Sequence, residues 1–319
     1  MKRIILSLSV LFVLLLAPAV YYLYAPAPKV LAEPLDKHSL SIGGHTRRYS
    51  VYFPPDLKPD AKLVFALHPS MSSGDEMRRW VGPTIERFAS RHNTVVVYPD
   101  GFEGHFNDCR KVASYSARTE NIDDVALIQQ ITHRLVSRAQ IDPKQVFALG
   151  YSIGGHLAFR LALETSGFIQ GIIAIAANLP AENNMACDSV GALPRFVSLI
   201  EGTQDPINPY DGGKVTLFGF GDRGDVLSAE ESAQWFADGL GISLRKDAKQ
   251  AVKQEVKQED QPVQFKSWQS PDAHVSLVSV VGGGHTIPQA NFRFRRLLGM
   301  TLADDSLLTS ALTTMINAD

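Results

Sequence analysis

Short apolar runs alternate with amphipathic stretches along most of the chain. Residues 62–67, 94–98 and 145–149 are compact runs of apolar and β-branched side chains, which predict buried strands. Residues 75–90 and the stretch that follows Asp123 carry apolar side chains at helical spacing, which predicts amphipathic helices. Buried strands that alternate with such helices are typical of a mostly parallel sheet covered by helices on both faces. The pattern therefore predicts an α/β fold.

The same alternation continues through the second half of the chain. A helix is predicted from Ile153 to Glu164, and further buried runs lie at 172–177, 196–200 and 274–281. No change of composition marks a second domain, so we expect residues 38–319 to form one domain. The chain closes with a predicted helix, and its expected inner face contains Leu307, Leu308, Ala311 and Leu312.

The N-terminal end has a different pattern. Two basic residues precede a nearly unbroken apolar run over residues 4–24, which is the pattern of an export signal. The length of the run approaches the ~20 residues that span a bilayer, so an uncleaved anchor is the alternative. We expect residues 1–25 to be a signal peptide or a membrane anchor and residues 26–37 to be a Pro-rich tether. The rest of the chain would then work outside the cytoplasm, as a secreted or periplasmic protein.

Composition and charge narrow the classes of partner. The chain has 319 residues, of which 45% are hydrophobic, and a formal net charge of −2. So small a net charge creates no electrostatic field that would attract nucleic acid, so we expect no nucleic-acid partner. We expect membrane contact only through an uncleaved N-terminal segment. The polar stretch over 245–261 indicates a solvated surface insertion. The two cysteines, Cys109 and Cys187, are not spaced for a metal site; export permits a disulfide between them, and two free buried thiols are the alternative.

The residues that carry chemistry begin with a Gly-Tyr-Ser-Ile-Gly-Gly segment that starts at Gly150. It matches the G-x-S-x-G motif, in which a strand turns sharply into a helix and exposes the serine hydroxyl above the sheet. Gly150 and Gly154 supply the room that this turn needs. Ser152 is therefore the candidate nucleophile, and the backbone N–H of Ile153 would face a developing oxyanion at the helix N-terminus.

A serine nucleophile needs a base and an acid, which in this type of fold follow later in the chain in the order Ser, Asp, His. Asp205 follows the buried run at 196–200 and is the candidate acid, with Glu201 and Asp211 as less favoured substitutes. His285 is the candidate base. It follows three glycines, and we expect them to form a flexible loop that can swing the imidazole toward Ser152.

A second oxyanion donor is expected in the loop that follows an early strand. His68-Pro69-Ser70 occupies that place after the run at 62–67. Proline has no N–H and cannot donate, so the backbone N–H of Ser70 is the candidate.

Together these motifs resemble the exported esterases related to polyhydroxybutyrate depolymerases and feruloyl esterases. The resemblance runs from about residue 46 to residue 298 and implies the α/β-hydrolase fold. It places the nucleophile, acid and base on Ser152, Asp205 and His285, and the oxyanion donors on the backbones of Ser70 and Ile153. The matching pieces, in chain order, are Leu67-His68, Tyr98 to Gly101, Asn107 to Cys109, Asp123 to Val125, Gly150 to Gly155, Ala177 to Pro180, Gly202 to Gly213 and Gly282 to His285.

Three departures from the family pattern lie near the expected cleft. Pro69, Phe106 and Ile287 stand where the family usually has Gly, Trp and Trp. None of them removes a triad residue, so they bear on the substrate more than on the reaction. We expect His68, Tyr151 and Phe106 to contact the substrate.

The resulting prediction is a serine esterase that forms an acyl-enzyme and needs no metal or organic cofactor. Its partner would be a small-molecule or oligomeric ester with a hydroxyacyl, aryl or acetyl group. A peptidase or thioesterase on the same fold is the first alternative, because the triad alone does not determine the leaving group. A non-catalytic exported binding protein is the second.

Overall fold

A nine-stranded sheet forms the centre of the computed structural model, which describes residues 17, 20–28, 31, 33–243 and 263–317. A separate two-stranded sheet pairs β8 with β9. The strands are β1 (Asp36–Ile42), β2 (His45–Tyr52), β3 (Ala61–Leu67), β4 (Thr94–Pro99), β5 (Ile141–Tyr151), β6 (Gly171–Ile175), β7 (Phe196–Gly202), β8 (Gly213–Lys214), β9 (Asp225–Val226), β10 (Val263–Gln269) and β11 (His274–Val280).

The large sheet has the order β1-β2-β4-β3-β5-β6-β7-β11-β10. Six neighbouring strands of this sheet are parallel to one another: β4, β3, β5, β6, β7 and β11. The antiparallel pairs lie at the two edges. Parallel strands are covered on both faces, which is why β3 and β4 are apolar along nearly their whole length. The carboxyl ends of the parallel strands meet at one edge of the sheet, where ligands bind in open α/β sheets.

Helices cover both faces of the sheet, as the sequence predicted. One face packs against α1 and α6, whose buried side chains include Ile85 and Leu312. The other face packs against α3, α4 and α5, which contribute Ile131, Leu157 and Phe236 to the core. The helices are α1 (Gly74–Arg91), α2 (Ser116–Thr119), α3 (Asp124–Ala139), α4 (Ile153–Glu164), α5 (Ala229–Gly239) and α6 (Ser306–Ile316).

The N-terminal boundary of the sheet lies earlier than the tether prediction implied. Strand β1 begins at Asp36, inside the stretch expected to be a tether, and its Leu40 and Ile42 are buried against the core. Strand β1 lies at the edge of the sheet, and its outer positions are polar. Its apolar pattern is therefore too short to predict a strand. The predicted insertion over 245–261 and most of the apolar run over 4–24 lie outside the described residues. Among the helices that are described, none is long and apolar enough to cross a membrane.

A disulfide joins Cys109, in the loop after β4, to Cys187, in the segment after β6. The two residues are separated by 78 positions, and their Cα atoms lie 5.0 Å apart. The backbones pair beside it: Ala186 N donates to Cys109 O at 2.7 Å, and Lys111 N donates to Asn184 O at 2.8 Å. The bond therefore ties together two of the long loops that follow strands of the parallel sheet.

Candidate active site

The turn between β5 and α4 holds Ser152 in a strained backbone conformation, with φ 55° and ψ −118°. A non-glycine residue rarely adopts a positive φ, and such strain occurs often at functional sites. The turn closes because Gly150 lacks a side chain: a Cβ there would overlap the backbone of Gly154. The same strand-to-helix geometry was predicted for the G-x-S-x-G motif.

Gly154 allows the loop after β3 to approach the start of α4. A Cβ at Gly154 would overlap the carbonyl oxygen of Leu67, so any larger residue would push the two backbones apart. Ser70, three positions after Leu67, lines the cavity together with Ser152. Ile153 is the first residue of α4, where backbone N–H groups have no acceptor within the helix.

Three side chains from distant parts of the chain form one hydrogen-bonded chain at this point. His285 Nε2 lies 2.9 Å from Ser152 Oγ, and His285 Nδ1 lies 2.7 Å from Asp205 Oδ2. The backbone N–H groups of Ile207 and Asn208 donate to the other oxygen, Asp205 Oδ1, at 2.7 and 2.8 Å. A carboxylate can only accept, so Nδ1 carries the hydrogen and Nε2 is left to accept the serine proton.

The two other acids considered from the sequence do not reach the histidine. The carboxyl of Glu201 is buried at the end of β7 and accepts a hydrogen bond from Ala177 N at 3.0 Å. Burial raises the pKa of Glu201 well above its ordinary value, which favours the neutral acid beside Asp205. Asp211 is exposed. The structure therefore brings Asp205, and neither Glu201 nor Asp211, to His285.

The loop that carries His285 is packed rather than free to swing, which corrects the role expected for its glycines. A Cβ at Gly284 would overlap the carbonyl oxygen of Leu298. His285 N donates to Leu298 O at 2.7 Å, and the hydroxyl of Tyr151 donates to His285 O at 2.6 Å. The glycines therefore serve close packing, and the imidazole is already in place.

His68 and Phe106 were expected to contact the substrate, but the structure places both in the interior, away from the cavity wall. Their rings pack together with centroids 4.4 Å apart. Gly101 N donates to His68 Nε2 at 2.8 Å, so His68 Nδ1 carries the hydrogen that bonds Pro69 O at 2.7 Å. Burial lowers the pKa of His68 to about 4, which keeps this tautomer neutral. The two rings support the loop that carries Ser70 and are not among the residues that line the cavity.

A cavity of about 550 Å³ opens directly at Ser152 and His285. Tyr151, also expected to contact the substrate, does line it. Residues 25–28 form part of the wall, next to the point where Arg296 stacks on the ring of Tyr21 at 4.3 Å. The apolar side of the wall comes from Trp80, Leu217, Phe292, Phe294 and Leu298, and the charged side chains on it are Glu76, Arg223 and Arg295.

Comparison with known proteins finds similarity to proteins named as esterases, although no family model matches the chain. The esterase-named protein NocK of Nocardia uniformis is 27% identical over 273 residues, which cover 80% of this chain and 74% of NocK. Feruloyl esterase B of Piromyces equi is 27% identical over 52% of this chain, but the match covers only 31% of that longer protein. The solved acetyl xylan esterase of Aspergillus awamori is 14% identical with a TM-score of 0.51, covering 80% of this chain and 95% of that one.

The solved structure bears on the fold, and the related sequences bear on the reaction class. The chain has the α/β-hydrolase fold. Its similarity in sequence to proteins named as esterases supports a carboxylic ester hydrolase.

Proposed function

We propose that the protein is a serine esterase in which Ser152, His285 and Asp205 form the catalytic triad. The observation that carries the proposal is the continuous hydrogen-bonded chain from Ser152 Oγ to Asp205, which ends at the cavity. His285 Nε2 removes the serine proton as Oγ attacks the ester carbonyl, and the same proton then goes to the leaving alcohol. Asp205 holds the imidazole in the required tautomer and stabilises its charged form.

The second half of the reaction uses the same groups. Water attacks the acyl-enzyme carbonyl, His285 takes the proton of the water, and Ser152 Oγ leaves with that proton. The backbone N–H groups of Ser70 and Ile153 would donate to the oxyanion in both halves, since their segments meet beside the serine. The strained φ of Ser152 supports the role of its hydroxyl as the exposed nucleophile.

The substrates that we propose are small soluble hydroxyacyl, aryl or acetyl esters. A cavity of about 550 Å³ is in the range of small-molecule sites. Its aromatic wall suits an apolar acyl or aryl group, and the matches to feruloyl and acetyl xylan esterases support esters of this size. The basic and apolar N-terminal pattern supports export, with the enzyme secreted or periplasmic.

The test of the triad compares two serines on the same cavity wall. Ser152→Ala should lower ester hydrolysis by about a millionfold and abolish labelling by a fluorophosphonate probe. Ser72→Ala is the matched control, because Ser72 also lines the cavity but donates to Glu76 at 2.9 Å, and it should keep labelling and most activity. Labelling that survives in Ser152→Ala would refute the assignment. Matched amides and thioesters in the same assay separate an esterase from a peptidase or a thioesterase.

The size of the substrate is tested separately. At equal enzyme, product release from soluble hydroxybutyrate oligomers should exceed release from a suspension of the crystalline polymer, because adsorption to a solid requires a large exposed apolar face. Faster attack on the suspension would show that exposed side chains at the cavity, such as Met71, form an adsorbing face.

A further inference from the structure

One arginine on the wall of the active-site cavity lacks the partner that other interior arginines have. Arg223 is half-buried and lines the cavity together with Ser152 and His285. Within the described part of the chain, its guanidinium makes no hydrogen bond or ion pair with the protein. The other buried or half-buried arginines that are described all donate to a carboxylate or an amide oxygen: Arg47 to Asp124, Arg78 to Glu86, Arg110 to Asp108, Arg118 to Asn107 and Arg160 to Glu164.

The backbone of Arg223 is nevertheless held firmly. Arg223 N donates to Val215 O at 3.0 Å, and Arg223 O accepts from Asn184 Nδ2 at 2.9 Å. The next residue, Gly224, has φ 76° and lies so close to Asn184 that a Cβ would overlap the amide. The backbone that carries the guanidinium is therefore already ordered in the β8–β9 connection, so binding a ligand requires ordering of the side chain alone.

The interior acid whose charge acts on Arg223 is already occupied. Asp108 accepts from Arg110 Nη2 at 2.6 Å and from the hydroxyl of Tyr115. Burial alone would raise the pKa of Asp108, but the charge and hydrogen bonds of Arg110 outweigh burial and lower it to about 2. Burial lowers the pKa of Arg223, and the charge of Arg110 lowers it further, yet a guanidinium stays charged at neutral pH. The half-buried guanidinium of Arg223 thus lies unpaired, among the described residues, beside an apolar wall. In such surroundings an ion pair with an anion is stronger than it is in water.

Glu76 does not neutralise Arg223. It lies on the cavity wall from α1, accepts a hydrogen bond from Ser72 Oγ at 2.9 Å, and forms no ion pair with Arg223. Arg295 is a second cation on this wall, but it is exposed to solvent and is a weaker candidate for a desolvated contact.

We propose that Arg223 binds a carboxylate carried by the substrate, so that the enzyme prefers esters whose leaving group is a hydroxy acid with a free carboxylate. The inference rests on the proposed esterase function. Among the three substrate classes considered above it selects soluble hydroxyacyl oligomers, because hydrolysis at their end releases a hydroxy acid that carries its charge close to the scissile bond. Simple aryl and acetyl esters have no such charge.

The experiment compares two substrates that differ only in this charge. One is the 3-hydroxybutyrate dimer with its free carboxylate, and the other is the same dimer with that carboxylate converted to a carboxamide. The wild-type protein should show a kcat/KM about 10- to 100-fold higher for the carboxylate, as expected for a charged hydrogen-bonded contact. Arg223→Gln should remove the preference by lowering kcat/KM for the carboxylate about 10- to 100-fold more than kcat/KM for the carboxamide, and Arg223→Lys should restore part of it.

Two variants serve as matched controls. Lys214→Gln removes the same charge from strand β8, just before this connection, but Lys214 is exposed and paired with Asp222 at 2.7 Å, so the preference should remain. Arg295→Gln should also leave the preference in place. Equal turnover of both dimers by the wild-type protein would overturn the proposal, as would equal losses on both in Arg223→Gln, or loss of the preference only in Arg295→Gln. Phenyl acetate, which carries no carboxylate, distinguishes failure of the carboxylate preference from failure of the esterase function. If phenyl acetate is not hydrolysed either, the proposed esterase function itself is wrong.

Discussion

The hydroxyl of Tyr151 donates a 2.6 Å hydrogen bond to the backbone carbonyl of His285, which lies 134 positions later in the chain. The residue next to the proposed nucleophile therefore holds the loop that carries the proposed base. Burial raises the pKa of the Tyr151 phenol well above its ordinary value, so the hydroxyl remains a donor at every working pH. The bond fixes the position of the imidazole relative to Ser152 without touching the reacting atoms.

Removal of this hydroxyl should lower kcat strongly and the free energy of unfolding only slightly. Tyr151→Phe should lower kcat about tenfold and the free energy of unfolding by about 1 kcal/mol, the usual contribution of one hydrogen bond. Tyr52→Phe is the matched control, because Tyr52 makes a 2.8 Å bond to Ser90 elsewhere in the fold. It should cost similar stability, measured by urea unfolding, and leave kcat unchanged. An equal loss of kcat in both variants would contradict a specific role for the Tyr151–His285 bond.

Two buried acids lie close together near the histidine, and only one should matter for the reaction. Asp205→Asn should lower kcat about 10⁴-fold, because an amide in place of the carboxylate favours the wrong tautomer of His285. Glu201→Gln keeps the acceptor for Ala177 N and replaces a carboxyl that burial keeps neutral, so kcat should change less than about threefold. The ratio of the two kcat values decides the assignment. A larger loss from Glu201→Gln would make Glu201 the acid.

The disulfide should contribute much of the stability of the loops around the site. Closing a loop of 78 residues predicts a loss of about 4.5 kcal/mol when Cys109 and Cys187 are both changed to alanine. Urea unfolding of the wild-type protein with and without a reductant should show a loss of similar size. The double variant is the control for the reductant, because its midpoint should not respond. An unchanged midpoint in the reduced wild-type protein would mean that the two thiols are free.

Local patterns predicted the parts of the site that depend on neighbouring residues. The turn at Ser152 joins an apolar strand to a helix whose bounds, Ile153 to Glu164, match the prediction. Asp205 and His285 follow strands β7 and β11, which are adjacent and parallel, so their strand ends lie at the same edge of the sheet. The periodicity and the chain order were sufficient to place these residues together.

The remaining features depend on contacts that no local pattern contains. Strand β10 alternates polar and buried positions at an edge of the sheet and resembles a loop in composition. Phe106 and His68 carry the residue types of a binding site, but the β3 and β4 loops close over them and bury both rings. Arg223 lies in a short glycine-rich connection, and the lack of a hydrogen-bond partner for its guanidinium among the described residues depends on the three-dimensional packing.

The buried state of His68 makes the protein sensitive to acid. The pKa of its imidazole falls from an ordinary 6.5 to about 4 in the fold because burial disfavours the charged form. Between these values the unfolded chain binds a proton that the folded chain does not, so the free energy of unfolding falls as the pH decreases from 6.5 to 4. The full difference corresponds to about 3 kcal/mol.

His68→Gln isolates this contribution, since glutamine can accept from a backbone N–H but does not titrate in this range. Urea unfolding of the wild-type protein and the variant at several pH values between 4 and 7 should give curves that converge as the pH falls. The difference in slope should approach the uptake of one proton, because all other titrating groups, including the buried His156, are common to both proteins. Parallel curves would show that His68 titrates alike in the folded and unfolded states. Its imidazole would then not be the neutral group that joins Gly101 to Pro69 beneath Ser70.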